Sequence, residues 1–401
     1  MITNELLRRF KNNLGFSGAI AHTWNDQFAV TGAKIGDTLR LRDPVRFNAV
    51  DGPDITASIQ DVIETQKVLI LNKQKVVPFA FSSKDLTLSV DAFRARYLDS
   101  AALALANQVD VDGLTLAYQA TANAVGTPGT PITALDPFWA AGRVLDENAC
   151  PVDGTRTMCI PPRTQEAVLK AAQALFQSST QVKQQYERGR MGTMGGFEWV
   201  MDQNCRTHTV GPLGGAPTVS GGGQTGTPGV AQSLATAGWT AAAAARLKKG
   251  DIFTMASVFA VNPVSGDTLS GLQQFVVTAD VSSDASGNAS VPIYPPIIIT
   301  GPYKTVSAAP AGGTPLVVVG TAGQLSPQAI GFHREAFCIG MAPLEVPRDV
   351  HMAASQQDPD TGCSVRMVSQ YDIKTDLFIT RCDVLYGHCA QRPEWACRIE
   401  Q

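Results

Sequence analysis

Asp383-Val384-Leu385-Tyr386-Gly387 and, after four intervening residues, Arg392-Pro393-Glu394 decide how the chain is read. The first segment is a strand that ends in Tyr-Gly, and the second is the short finish that follows it. Upstream, Val365-Arg366-Met367-Val368 and Leu377-Phe378-Ile379-Thr380-Arg381 have the period-two character of half-buried strands. Residues 330–401 thus share the mixed character of the first half of the chain. The stretch before them is different. From about Val210 the composition turns to Gly, Ser, Thr and Pro, including Ser220-Gly221-Gly222-Gly223. Within it, Gly250-Asp251-Ile252-Phe253-Thr254-Met255, Gln274-Phe275-Val276-Val277-Thr278 and Ala289-Ser290-Val291-Pro292-Ile293 are short strands parted by Asn262-Pro263 and Ser286-Gly287-Asn288 turns. Residues 210–329 are therefore expected to be a small all-β module that interrupts a parent domain.

Toward the N-terminus the period becomes helical. Ser89 can cap a helix running to about residue 123, with Leu98, Ala102, Leu105, Val109, Gly113 and Leu116 on one stripe. The breakers Val125-Gly126-Thr127-Pro128-Gly129 stop it. Asp136 before Pro137 predicts a capped second helix with Phe138, Ala141, Val144 and Leu145 inward, and a third is expected from about Thr164 to Phe176. Between them, Thr157-Met158-Cys159-Ile160 reads as a core strand. Thr38-Leu39-Arg40-Leu41-Arg42 alternates, and Val45-Arg46-Phe47 is expected to continue it after Pro44. Asp51-Gly52-Pro53 reverses the chain and Lys67-Val68-Leu69-Ile70-Leu71 through Phe79 returns, so 43–75 reads as a projecting hairpin with little core of its own. Before it, Leu6, Leu7, Phe10 and Leu14 give a short amphipathic piece without a strong period of its own, followed by Gly15, Gly18 and Gly32, and the whole reads as an extended arm that partners must order.

The chain has 401 residues, enough for two or three domains. Charged residues make up only 17%, which leaves much neutral surface for contact with other proteins, and the net charge of -3 lacks the clustered cations of a protein that neutralises phosphates. Direct, tight nucleic-acid binding is disfavoured. The first ten residues hold no continuous apolar core of a secretory signal, and Ile297-Ile298-Ile299 and Val317-Val318-Val319 fall far short of the roughly 18 apolar residues of a membrane helix. A soluble protein made in the cytoplasm is expected, with its eight cysteines as reduced thiols.

Together these segments resemble the tailed-phage capsid family of the Hong Kong 97 fold, in the branch of the short-tailed Salmonella phage coat protein, whose members carry an inserted β domain. The resemblance rests on Gly331-Phe332-His333-Arg334-Glu335-Ala336-Phe337, Ser364-Val365-Arg366, Asp372, Asp383 to Gly387 and Arg392-Pro393-Glu394. Upstream it rests on Gly195-Gly196-Phe197-Glu198 and Leu247-Lys248-Lys249-Gly250-Asp251-Ile252-Phe253. Its pattern residues are thus Gly196, Phe197, Gly250, Asp251, Asp372, Tyr386, Gly387, Arg392 and Pro393. The resemblance implies an α+β fold divided into an N-terminal arm (1–36), an extended-loop hairpin (37–80) and a peripheral domain with a spine helix (81–135). An axial domain (136–209), an inserted β-rich domain (210–329) and a completing segment (330–401) follow. It further implies a virion capsid protein, made in the host bacterial cytoplasm, that assembles as hexamers and pentamers around double-stranded DNA. A separate scaffolding protein, a portal and decoration proteins are the partners it implies. Inter-subunit contacts are expected at Leu6, Phe10, Arg40, Arg42, Arg46, Asp51, Asp54 and Lys67.

Catalytic alternatives fare worse. Cys363, Cys382, His388, Cys389 and Cys397 lack paired C-x-x-C knuckles and fit no standard zinc spacing, so they, like Cys150 and Cys159, read as packed thiols. Met191-Gly192-Thr193-Met194-Gly195-Gly196 has no following Gly-Lys-Ser/Thr and reads as a turn. The scattered histidines form no H-E-x-x-H motif, and His333-Arg334-Glu335 reads as a salt-bridged or exposed trio. No catalytic residue, metal or cofactor is expected. The remaining alternatives are a β-rich hydrolase with an appended module, which needs paired carboxylates the sequence does not announce, and a nanocompartment shell protein of the same fold.

Overall fold

The computed structural model describes residues 2–22, 38–47, 52, 59–82, 98–172, 192–359 and 361–401. They fall into two compact units: Met1–Leu41, Val68–Leu114 and Phe337–Cys389 form the first, and Arg42–Lys67, Thr115–Ala336 and Ala390–Gln401 the second.

The first unit is built on a sheet in the order Phe337–Met341, Leu377–Ala390, Ser364–Asp372, Met352–Gln357. The strand Lys73–Ser82 joins it antiparallel to Leu377–Ala390, in register from Leu377 opposite Ser82 to Tyr386 opposite Lys73. Against the neighbouring strands Met352–Gln357 and Ser364–Asp372 lies the amphipathic helix Ile2–Asn12. The expected extended arm is therefore corrected over these residues: Leu6 and Phe10 fall one helical turn apart on the same face and are completely buried. Thr38–Arg42 pairs with Gln66–Ile70, and its alternation buries Leu39 and Leu41 beside Leu69, Ala21, Cys338 and Cys389.

The long helix Asp99–Ala120 begins in the first unit, where Leu98, Ala102, Leu105 and Val109 are buried as the stripe predicts. Gly113 belongs to that stripe for a steric reason: a Cβ there would come within 2.9 Å of His388 Nε2 and the Phe16 ring. The helix ends at Ala120 rather than near residue 123, and the expected cap, Ser89, lies outside the described residues.

The second unit contains two larger sheets with cores of their own, and a two-stranded pairing of Ala245–Leu247 with Val281–Ser282. One runs Ala124–Gly126, Ala396–Glu400, Leu325–His333, Arg156–Ile160, Phe197–Met201, Thr193–Met194, with Thr207–Thr209 paired to the far part of Leu325–His333. The helix Asp136–Glu147 places Phe138, Ala141 and Leu145 in its core with Met158, Ile160, Phe197 and Ile399. Asp136 is in the first turn and not the cap: Leu135 occupies the cap position without a side-chain bond. The third helix is described as Pro162–Ala172, and its expected continuation to Phe176 lies outside the described residues.

The other sheet runs Leu316–Val318, Ile252–Val261, Thr268–Val277, Ala289–Tyr294, Gln232–Ala237, Thr218–Val219. Its core gathers Leu234, Trp239, Phe253, Met255, Phe275, Val291 and Ile293, with the Phe253 and Phe275 rings 5.7 Å apart.

Two hairpin expectations change. Val45-Arg46-Phe47 is not a strand, because after Pro44 the chain 43–47 makes no ladder. The returning stretch is two strands broken at Leu71-Asn72, and the second of them pairs with Leu377–Ala390 instead of closing the hairpin.

Candidate functional site

Three polar nodes collect Arg46, Lys67, Arg392, Gly250, Asp251, Tyr386 and Gly387 from the residues singled out by sequence. In the second unit, a cavity of about 590 Å³ is lined by Asp43, Arg46, Lys67, Tyr294, Arg392 and Glu394 among others. Arg46 Nη2 lies 3.3 Å from Glu394 Oε1, its guanidinium sits 5.9 Å from the Tyr303 ring centre, and its backbone N–H donates to the Tyr303 hydroxyl at 3.2 Å. Tyr303 in turn donates to the carbonyl of Ile63 at 2.9 Å, and Tyr294 donates to Glu394 Oε2 at 3.1 Å. Lys67 Nζ stands 5.1 Å from the centre of the Tyr294 ring. Burial lifts the Asp43 carboxyl above its ordinary range against the pull of the Lys67 ammonium and the Thr65 hydroxyl. Burial, then the neighbouring Glu394 carboxylate, push the Tyr294 phenol well up, so it stays a donor.

This explains the finishing Arg392-Pro393-Glu394. Pro393 is buried, Arg392 stacks 4.4 Å over Trp395 and reaches Glu335 at 2.7 Å, and Glu394 receives the hairpin base. Arg46 and Lys67 thus hold partners within their own chain. Leu6 and Phe10 are completely buried within the chain. Arg40 is exposed, and Arg42 faces Glu64 at 3.7 Å in an open pair. Asp51 and Asp54 lie outside the described residues.

The second node explains Gly250-Asp251. The Asp251 carboxylate accepts from His208 Nε2 at 2.7 Å, from the Gly211 N–H at 3.1 Å and from the Lys248 N–H at 2.8 Å, so one buried side chain ties its own turn to the segment 208–211. Gly250 adopts φ +97° and lends its carbonyl to Arg398 Nη1 at 3.0 Å; the same nitrogen reaches the Tyr118 carbonyl at 2.9 Å. Arg398 is completely buried, with Nη2 3.1 Å from Glu400 Oε1, and burial lowers its pKa. Sequence reasoning missed Arg398 and His208. The available signal was an Arg-x-Glu pair on the otherwise apolar strand Ala396–Glu400.

The third node, in the first unit, explains Tyr386-Gly387. The Tyr386 hydroxyl donates to Asp112 Oδ2 at 2.7 Å, with Lys73 and Lys75 at 3.3 and 3.6 Å from the same oxygen. Burial opposes ionisation of Asp112, but the Tyr386 hydroxyl and the lysines outweigh it and hold the carboxyl below its usual range. A Cβ on Gly387 would run into the Ile70 carbonyl, so only glycine permits this approach. Beside it, burial and the Lys73 charge push the His388 imidazole down to about 3.

Of the remaining pattern residues, Gly196 turns the hairpin at φ +81°, Phe197 fills the core, and Asp372 caps an exposed turn through the Lys374 N–H at 3.0 Å and the Thr375 hydroxyl at 2.7 Å. His333 is buried rather than exposed and faces Thr155 at 2.9 Å and Asp153 at 3.3 Å, while Glu335 pairs with Arg392. Among the described residues no group of His, Cys, Asp or Glu is arranged to hold a metal ion.

The family model described as P22 coat protein, gene protein 5, matches residues 3–398. The chain belongs to the P22 coat protein family. No curated protein matches the coat protein. Among solved structures it is similar to a chain of Mycobacterium phage Che8, with 13% identity over 96% of this chain and 90% of that one, at a TM-score of 0.47. It is similar to the virus-like particle from Pyrococcus furiosus, with 9% identity over 100% of this chain and 97% of that one, at a TM-score of 0.42. Residues making up 26% of it are similar to the CUS-3 coat protein I-domain, with 26% identity over 96% of that chain, at a TM-score of 0.20. The coat protein has the α+β Hong Kong 97 type of fold and is a phage major capsid protein that forms the icosahedral shell of the virion. Family membership displaces the hydrolase and nanocompartment readings. No described helix is long and apolar enough to cross a membrane.

Proposed function

We propose that the coat protein acts without catalysis, assembling as hexamers and pentamers around double-stranded DNA, and that the hairpin 43–75 is the part that grips adjacent subunits. The observation that carries this is the hairpin's apolar surface: Phe47, Ile59, Val62 and Ile63 are 60%, 77%, 65% and 39% exposed. Such side chains within one stretch of chain find cover at a protein contact. Leu6, Phe10, Arg40, Arg42, Arg46, Asp51, Asp54 and Lys67 are proposed as further inter-subunit contacts, and residues 210–329 as an inserted domain. The core cluster of Leu234, Phe253 and Phe275 supports a module that can fold around itself. A net charge of -3 suits a shell that must contain DNA without clinging to it. A separate scaffolding protein, a portal and decoration proteins complete the proposal.

The test is the particle formed on co-expression with a scaffolding gene, seen by negative-stain electron microscopy and analytical ultracentrifugation. Closed shells are expected from the full chain. Deleting 49–66 is expected to leave a folded subunit, by circular dichroism, that assembles at least tenfold less; normal shells from the deletion would remove the hairpin from the proposal.

A further inference from the structure

Cys159 and Cys205 are separated by 46 positions in sequence, yet their sulfur atoms lie 3.7 Å apart. Local pairing brings them there. Cys159 sits in the strand Arg156–Ile160, which runs parallel to Phe197–Met201 with Cys159 opposite Val200 and Ile160 opposite Met201. The ladder continues one step past the strand end, where the Asp202 N–H donates to the Ile160 carbonyl at 3.0 Å. The chain then turns: Asp202 Oδ1 accepts the Asn204 N–H at 2.8 Å, and Cys205 is folded back beside Cys159. Cys159 is 1% exposed, whereas Cys205 is half-buried. The pair therefore has one sulfur that a reagent can reach and a second, protected one within contact distance of it.

We infer that Cys159 and Cys205 are a disulfide-forming site, oxidised by a low-molecular-weight disulfide once the coat protein leaves a reducing environment. The accessible Cys205, as thiolate, attacks one sulfur of oxidised glutathione, forming a mixed disulfide and releasing one glutathione thiol. The Cys159 sulfur then attacks the Cys205 sulfur, expels the second glutathione as its thiolate, and gives up its proton to it. Two protein thiols become one disulfide, and the two electrons leave on two glutathione molecules. The bond fastens the connection leading into Thr207–Thr209 onto the buried strand of the same sheet. The chain supplies its own control. Cys338 and Cys389 also form a hydrogen-bonded thiol pair, but at 0% and 8% exposure neither offers a reachable sulfur.

The test is to incubate the purified full-length coat protein with oxidised glutathione and map its tryptic peptides without reduction. Cys159 and Cys205 lie on separate peptides, 157–163 and 191–206. Linkage of these two, with the loss of two hydrogens and an unmodified Cys338 and Cys389, is expected. A Cys205 glutathione adduct that persists unlinked in the wild type, or two unmodified thiols, would overturn the inference. Cys205→Ser should abolish the linkage and leave Cys159 unmodified. Cys159→Ser, if it folds, should trap the Cys205 adduct; a Cys205 that stays unreacted in that variant also overturns it.

Discussion

The two units solve the same problem, a charged group among apolar strands, in opposite ways. In the second unit Arg398 and Glu400 are both sealed from water, and the guanidinium's Nη1 donates to the carbonyls of Tyr118 and Gly250. In the first unit Asp112 keeps contact with solvent through the partly exposed Lys73 and Lys75, and the imidazole beside it is held neutral. A sealed ion pair is costly to break because the survivor has no water to turn to; a half-exposed one yields more gently. The second unit should therefore be sensitive to side-chain loss, and the first to pH.

The largest effect is expected from Arg398→Met, which keeps most of the volume but strands Glu400 and two backbone carbonyls. A loss of about 3–5 kcal/mol is expected in urea unfolding of the subunit. Adding Glu400→Gln should recover part of it, since the orphaned charge is the main penalty. A loss under about 1 kcal/mol for the single change would show that water reaches the pair, and the contrast between the units would disappear.

His388 sharpens the other side of the comparison. In the folded chain its imidazole stays neutral down to about 3, held there by burial and by Lys73, with Asp112 opposing and His22 adding to the shift. The unfolded chain takes up a proton near the ordinary pKa of about 6.5. Between those values the unfolded state binds more protons, so stability falls as pH falls, by at most about 1.4 kcal/mol per pH unit from this one group. Asp112, whose carboxyl is depressed, adds a loss only below the unfolded carboxylate pKa of about 3.9. His388→Asn should flatten the profile between pH 6 and about 4.5. An unchanged slope in that variant would assign the acid sensitivity elsewhere.

How far these nodes were legible in the sequence depends on the distance over which each is made. The alternation of Thr38–Arg42, the buried run Thr157 to Ile160 and the inward face Phe138, Ala141, Leu145 are local patterns, and the structure follows them. The helix Ile2–Asn12 was legible only as a short amphipathic piece, because its glycine-rich sequel suggested an extended arm and its partner strands lie more than 300 residues away. The same holds for Lys73–Ser82, whose partner Leu377–Ala390 no local period can name. At the site, Tyr386-Gly387 and Gly250-Asp251 were visible as motifs, but Asp112 and Arg398, which give them their purpose, became meaningful only when the topology set them 2.7 Å and 3.0 Å away.

Tyr386→Phe is the smallest and most selective way to probe the contrast. It removes one hydroxyl and nothing else from a buried ring, so packing is kept and only the bond to Asp112 is lost. Because Lys73 and Lys75 remain beside that carboxylate and carry it toward water, the loss should be about 1–1.5 kcal/mol, the value of a hydrogen bond to a charged group whose acceptor is still solvated. Asp112 should at the same time titrate closer to its ordinary range, since one of the groups holding it down is gone. The effect therefore grows smaller as pH is lowered through the Asp112 titration, where the protonated carboxyl no longer needs the donor. A loss as large as that of Arg398→Met, and independent of pH, would mean that Asp112 is sealed like Glu400, and the two units would then handle charge in the same way.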